Sequence, residues 1–232
     1  MEIFIKFYKY ILDIFFPLSC IDCNRNIENN ENGPICGYCF ENIKISAYLG
    51  KNQPGLEIIS VANYGEESIR KLIYAFKYDG IASIEATFRN LIKKYLQKVD
   101  FLKILDIENA TAVPIPLYPK RMRKRGFNQA EKIAKILSEN LNIEMRADII
   151  RRIKDTEPQI NLDNYKDRQA NIEDCFSLIE NNSENSKESI RGRDIIIVDD
   201  IYTSGSTINE AAKVLKKAGA KKILAFVLAK AA

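Results

Sequence analysis

Asp199 and Asp200 are the residues of this chain best placed to do chemistry. They follow the apolar run Ile195 to Val198 and precede Thr203-Ser204-Gly205-Ser206-Thr207. Two adjacent carboxylates beside a loop of small hydroxylated residues suit a phosphate held in a cradle with acids at its rim. The run Ile195 to Val198 is β-branched and apolar on both faces, as a central parallel strand requires. Two charges cannot continue such a strand through the core, so Asp199 and Asp200 are expected at its carboxyl end. Ligands of open α/β sheets bind outside those ends. Gly205 allows a tight turn and a close backbone approach. The N–H groups of the following helix start, with the hydroxyls of Thr203, Ser204, Ser206 and Thr207, suit a phosphate. A strand followed by a capped helix accounts for each part separately, but not for their coincidence.

Four of the five cysteines form a second chemical pattern, Cys20-Ile21-Asp22-Cys23 and Cys36-Gly37-Tyr38-Cys39. Each CxxC turns both sulfurs toward one point, and two such pairs complete a tetrahedron around zinc. A closed shell of four thiolates leaves no open position, so the metal is expected to be structural. Disulfides are the competing reading, and without an export signal they are disfavoured. Cys175, beside Phe176 and Leu178, reads as a buried strand residue and not as a nucleophile.

Composition narrows the chemistry further. The chain has 232 residues, a net charge of +4, and neither His nor Trp. Imidazole acid–base catalysis and any His-bearing metal site are therefore excluded. Charge is concentrated in Lys120-Arg121-Met122-Arg123-Lys124-Arg125. That cluster fits a solvated turn, contacts to a nucleic-acid backbone, or a site for an anionic leaving group. Residues 1–16 have apolar residues at helical spacing, interrupted by Glu2, Lys6, Lys9 and Asp13. They are too short and too charged to span a bilayer. An amphipathic helix docked on the domain is expected there, with a membrane-surface helix as the alternative. A cytoplasmic location follows.

The elements that must position these residues alternate along the chain. A first module over residues 1–50 is expected to hold the N-terminal helix and the knuckle, and a second over 51–232 the main domain. Lys51 to Gly55 reads as a turn-like boundary. Ile58 to Tyr64 reads as a strand, Ser68 to Tyr78 and Ala82 to Lys98 as helices, with Gly80 as a stop. Thr111 to Pro116 is a strand, the basic run a loop, and Asn128 to Asn140 a helix. Short strands are expected at Ile149 to Ile153 and Cys175 to Ile179. Thr156 to Asn171 and Asn181 to Ser189 read as irregular. The helix Thr207 to Ala218, closed by Gly219, leads to a last strand, Ile223 to Leu228. Strands alternating with helices predict an α/β fold with a parallel sheet flanked by helices.

The stretch from Asp194 to Thr207 resembles the 5-phosphoribosyl-1-pyrophosphate (PRPP) signature of type I phosphoribosyltransferases. The whole chain is similar to the competence-associated ComF family. The resemblance extends to Phe15-Phe16-Pro17-Leu18-Ser19-Cys20, Phe76-Lys77-Tyr78-Asp79-Gly80 and Val113-Pro114-Ile115-Pro116-Leu117. It continues through Arg121, the run Arg125-Gly126-Phe127-Asn128-Gln129-Ala130, and Thr156, Gln159, Leu162, Arg168, Asn171 and Phe176. Tyr202 and Ser204 stand where many members carry other small or β-branched residues. The resemblance implies a type I phosphoribosyltransferase-like fold with a small four-cysteine zinc module. It implies that Asp199 and Asp200 take the ribose hydroxyls and that Thr203 to Thr207 take the 5-phosphate, with magnesium arriving with PRPP. Arg121 and Arg125 join the two acids as catalytic candidates through contacts to pyrophosphate, and Asn128 or Gln129 are candidates at the rim. Lys77 and Tyr78 are pyrophosphate-loop candidates, although a helix dipole explains Lys77 equally well. Arg168 and Asn171 either order a hood over the acceptor or brace a loop. The family points to DNA uptake, either as a phosphoribosyltransferase of unstated acceptor or as a PRPP-sensing or single-stranded-DNA-binding factor. The four-cysteine module is in addition a candidate docking piece for a DNA-uptake protein.

Overall fold

The β-branched runs pair into a sheet whose centre is the strand that carries the two acids. The computed structural model describes residues 18–27, 31–53, 56–78, 83–99, 105–155, 173–179 and 189–231. The expected N-terminal helix over 1–16, the helix stop at Gly80, the Pro54-Gly55 part of the boundary turn, the segment with Gln159, Leu162, Arg168 and Asn171, and the surface loop over 181–188 lie outside those residues.

Six strands form the main sheet: β1 (Ile45–Gln53), β2 (Leu56–Asn63), β3 (Ala110–Pro114), β4 (Glu144–Met145), β7 (Asp194–Tyr202) and β8 (Lys222–Lys230). Their order is β1-β2-β8-β7-β3-β4. A separate antiparallel pair joins β5 (Ile150–Arg152) to β6 (Phe176–Leu178). β7 lies between β8 and β3, parallel to both, with Ile195 opposite Ile223 and Thr111. Buried on both faces, its run Ile195 to Val198 has no solvent exposure. Each such side chain contributes roughly 1.5–3 kcal/mol of apolar transfer. Ile196 and Val198 face one core, and Ile195 and Ile197 the other.

Helices cover both faces. α1 (Gly37–Asn42) ends the cysteine knuckle. α2 (Glu67–Tyr78) buries Ile69, Leu72, Ile73 and Phe76, and α3 (Ile84–Leu96) buries Phe88, Leu91, Ile92 and Tyr95. Together with α5 (Gln129–Leu141) they pack on the face of Ile196 and Val198. Helix α6 (Ser206–Lys217) and the β5–β6 pair cover the other face. The α/β fold with its helix-flanked parallel sheet is as expected. No helix among the described residues is long and apolar enough to cross a membrane.

Three local readings are corrected. Lys51 to Gln53, expected in a turn, continue β1, which pairs antiparallel with β2 and crosses the expected 50/51 junction. The sheet therefore carries one antiparallel edge. Lys120 to Arg125, expected as a loop, lie in the short helix α4 (Pro119–Arg125). Proline at its first position and Gly126 at φ 78° as its left-handed stop supply the two end signals. The two-residue strand β4 was not expected. It docks on β3 through Thr111 and Ala112.

Candidate functional site

β7 remains a strand through Asp199 and Asp200 to Tyr202, and the chain then turns at Gly205 into α6. Gly205 has φ 79°, a left-handed conformation that side chains resist. A Cβ there would also overlap the hydroxyl of Tyr202, which is buried beneath the turn. The aromatic ring at position 202 is thus the floor on which the loop bends, a packing role that only glycine at 205 permits. Ser204 and Ser206 hydroxyls lie 2.6 Å apart, and the Ser206 N–H points to Ser204 Oγ at 3.4 Å. Asp199, Ile201, Tyr202, Thr203, Gly205, Thr207 and Ile208 line one cleft at this strand end.

The two acids sit in different electrostatic surroundings. Burial, followed by repulsion from Asp200, pushes the Asp199 carboxyl from 3.8 up to about 7. The Asp200 N–H donates to Asp199 Oδ1 at 2.8 Å. Asp200 is paired with Lys77, whose Nζ lies 2.7 Å from Oδ2, with both side chains largely buried. Lys77 closes α2, so the fold brings two sequence-predicted site residues from opposite halves of the chain into contact.

The arginines form a belt beyond the acids. Arg121 and Arg125 share one face of α4, one turn apart. Burial, then repulsion from Arg152 and Arg125, lowers the Arg121 pKa, with Asp155 and Tyr78 opposing. The Arg125 guanidinium lies 5.7 Å from the Tyr78 ring centre and donates to Gln129 Oε1 at 3.2 Å. Arg152 was not singled out from the sequence. It is buried on β5, stacks over Phe176 at 5.5 Å, and is close enough to Asp199 to pull its pKa down against burial. Period-2 alternation after buried Ile150 places Arg152 inward and would have found it. Asn128 is corrected from the rim to the scaffold. Its side-chain oxygen accepts from the Ala130 N–H to cap α5, and its amide donates to Ile115 O at 3.0 Å.

The four knuckle sulfurs all lie within 4.8 Å of one another. Cys23 and Cys36 Sγ are 3.8 Å apart. A tetrahedral zinc with metal–sulfur bonds of about 2.3 Å sets that edge at about 3.8 Å, so the cluster fits the ion. The cysteines are not disulfide-bonded. The Cys36 N–H points at Cys20 Sγ and the Cys39 N–H at Cys36 Sγ, which helps hold thiolates. Burial raises the Cys20 thiol, but backbone N–H groups at Cys23, Cys36 and Asp22 outweigh it and bring it to about 7. Burial and the neighbouring sulfurs drive Cys39 the other way, well above its usual range. A cation at the centre would offset the charge of such a set. Cys175 is buried, and burial raises its thiol to about 11, consistent with a packing residue.

The knuckle shares a core with α2 and α3 through Ile35, Phe40 and Ile43. Lys71 of α2 reaches Asp22 O at 3.0 Å and Asp22 Oδ1 at 3.5 Å, inside the first CxxC. Lys94 of α3 pairs with Glu41 at 2.6 Å.

Residues 123–232 match the phosphoribosyl transferase domain family. Competence protein F of Haemophilus influenzae is 32% identical over 94% of this chain and 99% of its own length. The DNA utilization protein YhgH of Escherichia coli is 26% identical over 90% of this chain and 88% of its own. Competence protein ComFC of Bacillus subtilis is 29% identical over 73% of this chain and 62% of its own. With its knuckle included in the aligned span, the chain belongs to the competence protein F (ComF) family, on a phosphoribosyltransferase-like fold.

Proposed function

We propose that the β7–α6 turn binds PRPP with magnesium and that the protein acts in DNA uptake as a phosphoribosyltransferase-like factor. The observation that carries this reading is the meeting of three groups at one strand end. The acid pair, the Gly205 turn and Lys77 come together there, with Lys77 held 2.7 Å from Asp200. The hydroxyls and N–H groups from Thr203 to Thr207 take the 5-phosphate. Asp199 and Asp200 take the ribose hydroxyls. Lys77, Tyr78, Arg121 and Arg125 face the pyrophosphate.

Transfer breaks the C1–pyrophosphate bond through an oxocarbenium-like state, and no imidazole is needed. Magnesium, when bound with PRPP, neutralises pyrophosphate charge. The protein's own contribution is to hold the ribose fixed and to meet the departing charge with Lys77, Arg121 and Arg125. The names of the relatives, competence protein and DNA utilization protein, support the place in DNA uptake. Zinc in the four-cysteine knuckle fits a reducing cytoplasm, where the thiols stay free for a metal.

Calorimetric titration of magnesium and PRPP tests the reading, beside the variant carrying Asp199→Asn and Asp200→Asn. Saturable binding to the wild type and loss of about 100-fold or more in a folded variant is expected, because charge-assisted hydrogen bonds are the strong ones. Equal affinity in the folded variant would sink it.

A further inference from the structure

Gln129 is the first residue of α5 and is only 2% exposed, so it lies beneath the rim of the site and not on it. Its Oε1 accepts from the Arg125 guanidinium at 3.2 Å. A guanidinium has donors only, so the amide oxygen must face it and the amide nitrogen must turn away. That nitrogen is buried and meets no acceptor among the described residues. Flipping the amide would not help, because it would set donors against donors. A buried N–H without an acceptor destabilises a fold and calls for an explanation.

Glutamate is the residue that local physics favours at this position. It has nearly the same shape and carries no donor to leave unpaired. It would give Arg125 a charge-assisted bond, and its charge would sit in the first turn of α5, where the helix dipole favours an anion. Burial opposes a carboxylate, but the adjacent guanidinium offsets that cost. Elsewhere the chain follows this rule: Arg89, Arg146 and Arg193 take the carboxylates of Glu139, Asp148 and Glu144. Arg125 instead lies between the Gln129 amide oxygen and the face of the Tyr78 ring, 5.7 Å from its centre. Both contacts orient a guanidinium, and neither neutralises it. A position that gives up local stability to keep a charge uncompensated points to a ligand that needs the charge. We propose that Gln129 is a positioning residue that aims Arg125 while leaving its full positive charge for a diphosphate. A carboxylate at 129 would hold the same arginine but compete with the ligand for it.

This inference rests on the reading of the site as one for PRPP with magnesium, and the test separates the two. Thermal melts are compared with calorimetric titrations of the full chain by magnesium with PRPP and by magnesium with inorganic pyrophosphate. Gln129→Glu is expected to melt at or above the wild type and to bind both ligands about 10-fold or more weakly. A residue that only supports the fold would move stability and affinity in the same direction. Gln129→Met keeps the length without the acceptor. It should weaken binding about 3-fold or more in the wild type and leave it unchanged in a chain already carrying Arg125→Ala, because it acts through that arginine. Wild-type binding with Gln129→Glu binding equally well overturns this inference alone. So does a melting temperature of Gln129→Glu below that of the wild type, or an equal effect of Gln129→Met with and without Arg125. No binding of either ligand by the folded wild type overturns the PRPP reading, and this inference with it.

Discussion

The knuckle and the acid pair are both crowds of like-charged groups, and they settle the crowding differently. At the knuckle, four sulfurs lie within 4.8 Å of one another. Lys71 stays outside, on Asp22. At the strand end, two carboxylates are adjacent, but the chain brings its own cation in Lys77 and raises Asp199 until it holds a proton near neutrality. The first crowd suits an external cation such as zinc. The second is balanced by partners that can leave. On the proposed reading, a structural centre and an exchangeable binding site differ in whether the fold supplies the countercharge.

The largest effect should come from taking the external cation away. The knuckle's apolar side is continuous with the core around α2 and α3, so losing the ion releases more than a surface loop. A chelator, or Cys39→Ser, should lower the melting temperature on the order of 10 °C, restored by adding zinc to the chelated wild type. An unchanged melting temperature after chelation, with loss only on adding a reductant, would make the cysteines disulfides and break the comparison.

Removing the internal cation should cost less and be rescued differently. Lys77→Met leaves Asp200 largely buried without its partner, at about 2 kcal/mol or roughly 4–8 °C. Adding Asp200→Asn should recover most of that stability, since the uncompensated charge is then gone. If Lys77 served only the α2 dipole, the loss would be about 0.5 kcal/mol and Asp200→Asn would not restore it.

The same contrast governs how much of the molecule could be read from its sequence. The knuckle was legible because its cysteines are local in sequence, and a CxxC dictates its own turn. The strand, acids, glycine and helix start of the cradle were legible for the same reason. The Lys77–Asp200 pair was not, because it depends on where α2 ends relative to β7, a property of the sheet order. Arg152 carried a signal in the alternation of β5, but its charge suggested surface. β1 was missed because Lys51, Asn52 and Gln53, running into Pro54-Gly55, read as a turn, whereas pairing with β2 makes them strand. In α4 the charged run masked Pro119 and Gly126, the end signals of a helix.

The smallest effect concerns the proton that helps balance the acid pair. Asp199 is raised from 3.8 unfolded to about 7 folded, so the folded chain holds that proton more tightly. Its contribution to stability is fully present below about pH 4 and is lost as pH rises through 7. Above that, a buried carboxylate faces Asp200, with the Asp200 N–H, Lys77 and Arg152 to offset it. Asp199→Asn keeps the shape without the charge. Relative to the wild type it should gain stability between pH 5 and pH 8, read as a melting-temperature difference that grows with pH. In the wild type, binding of magnesium with PRPP, whose ribose hydroxyls would donate to an ionised Asp199, should release a proton near pH 7, visible as a buffer-dependent heat. A melting difference that stays flat from pH 5 to pH 8 would mean that Asp199 is already ionised in the free protein. Lys77 and Arg152 together would then neutralise both acids, and the cradle would resemble the knuckle in holding its countercharge permanently.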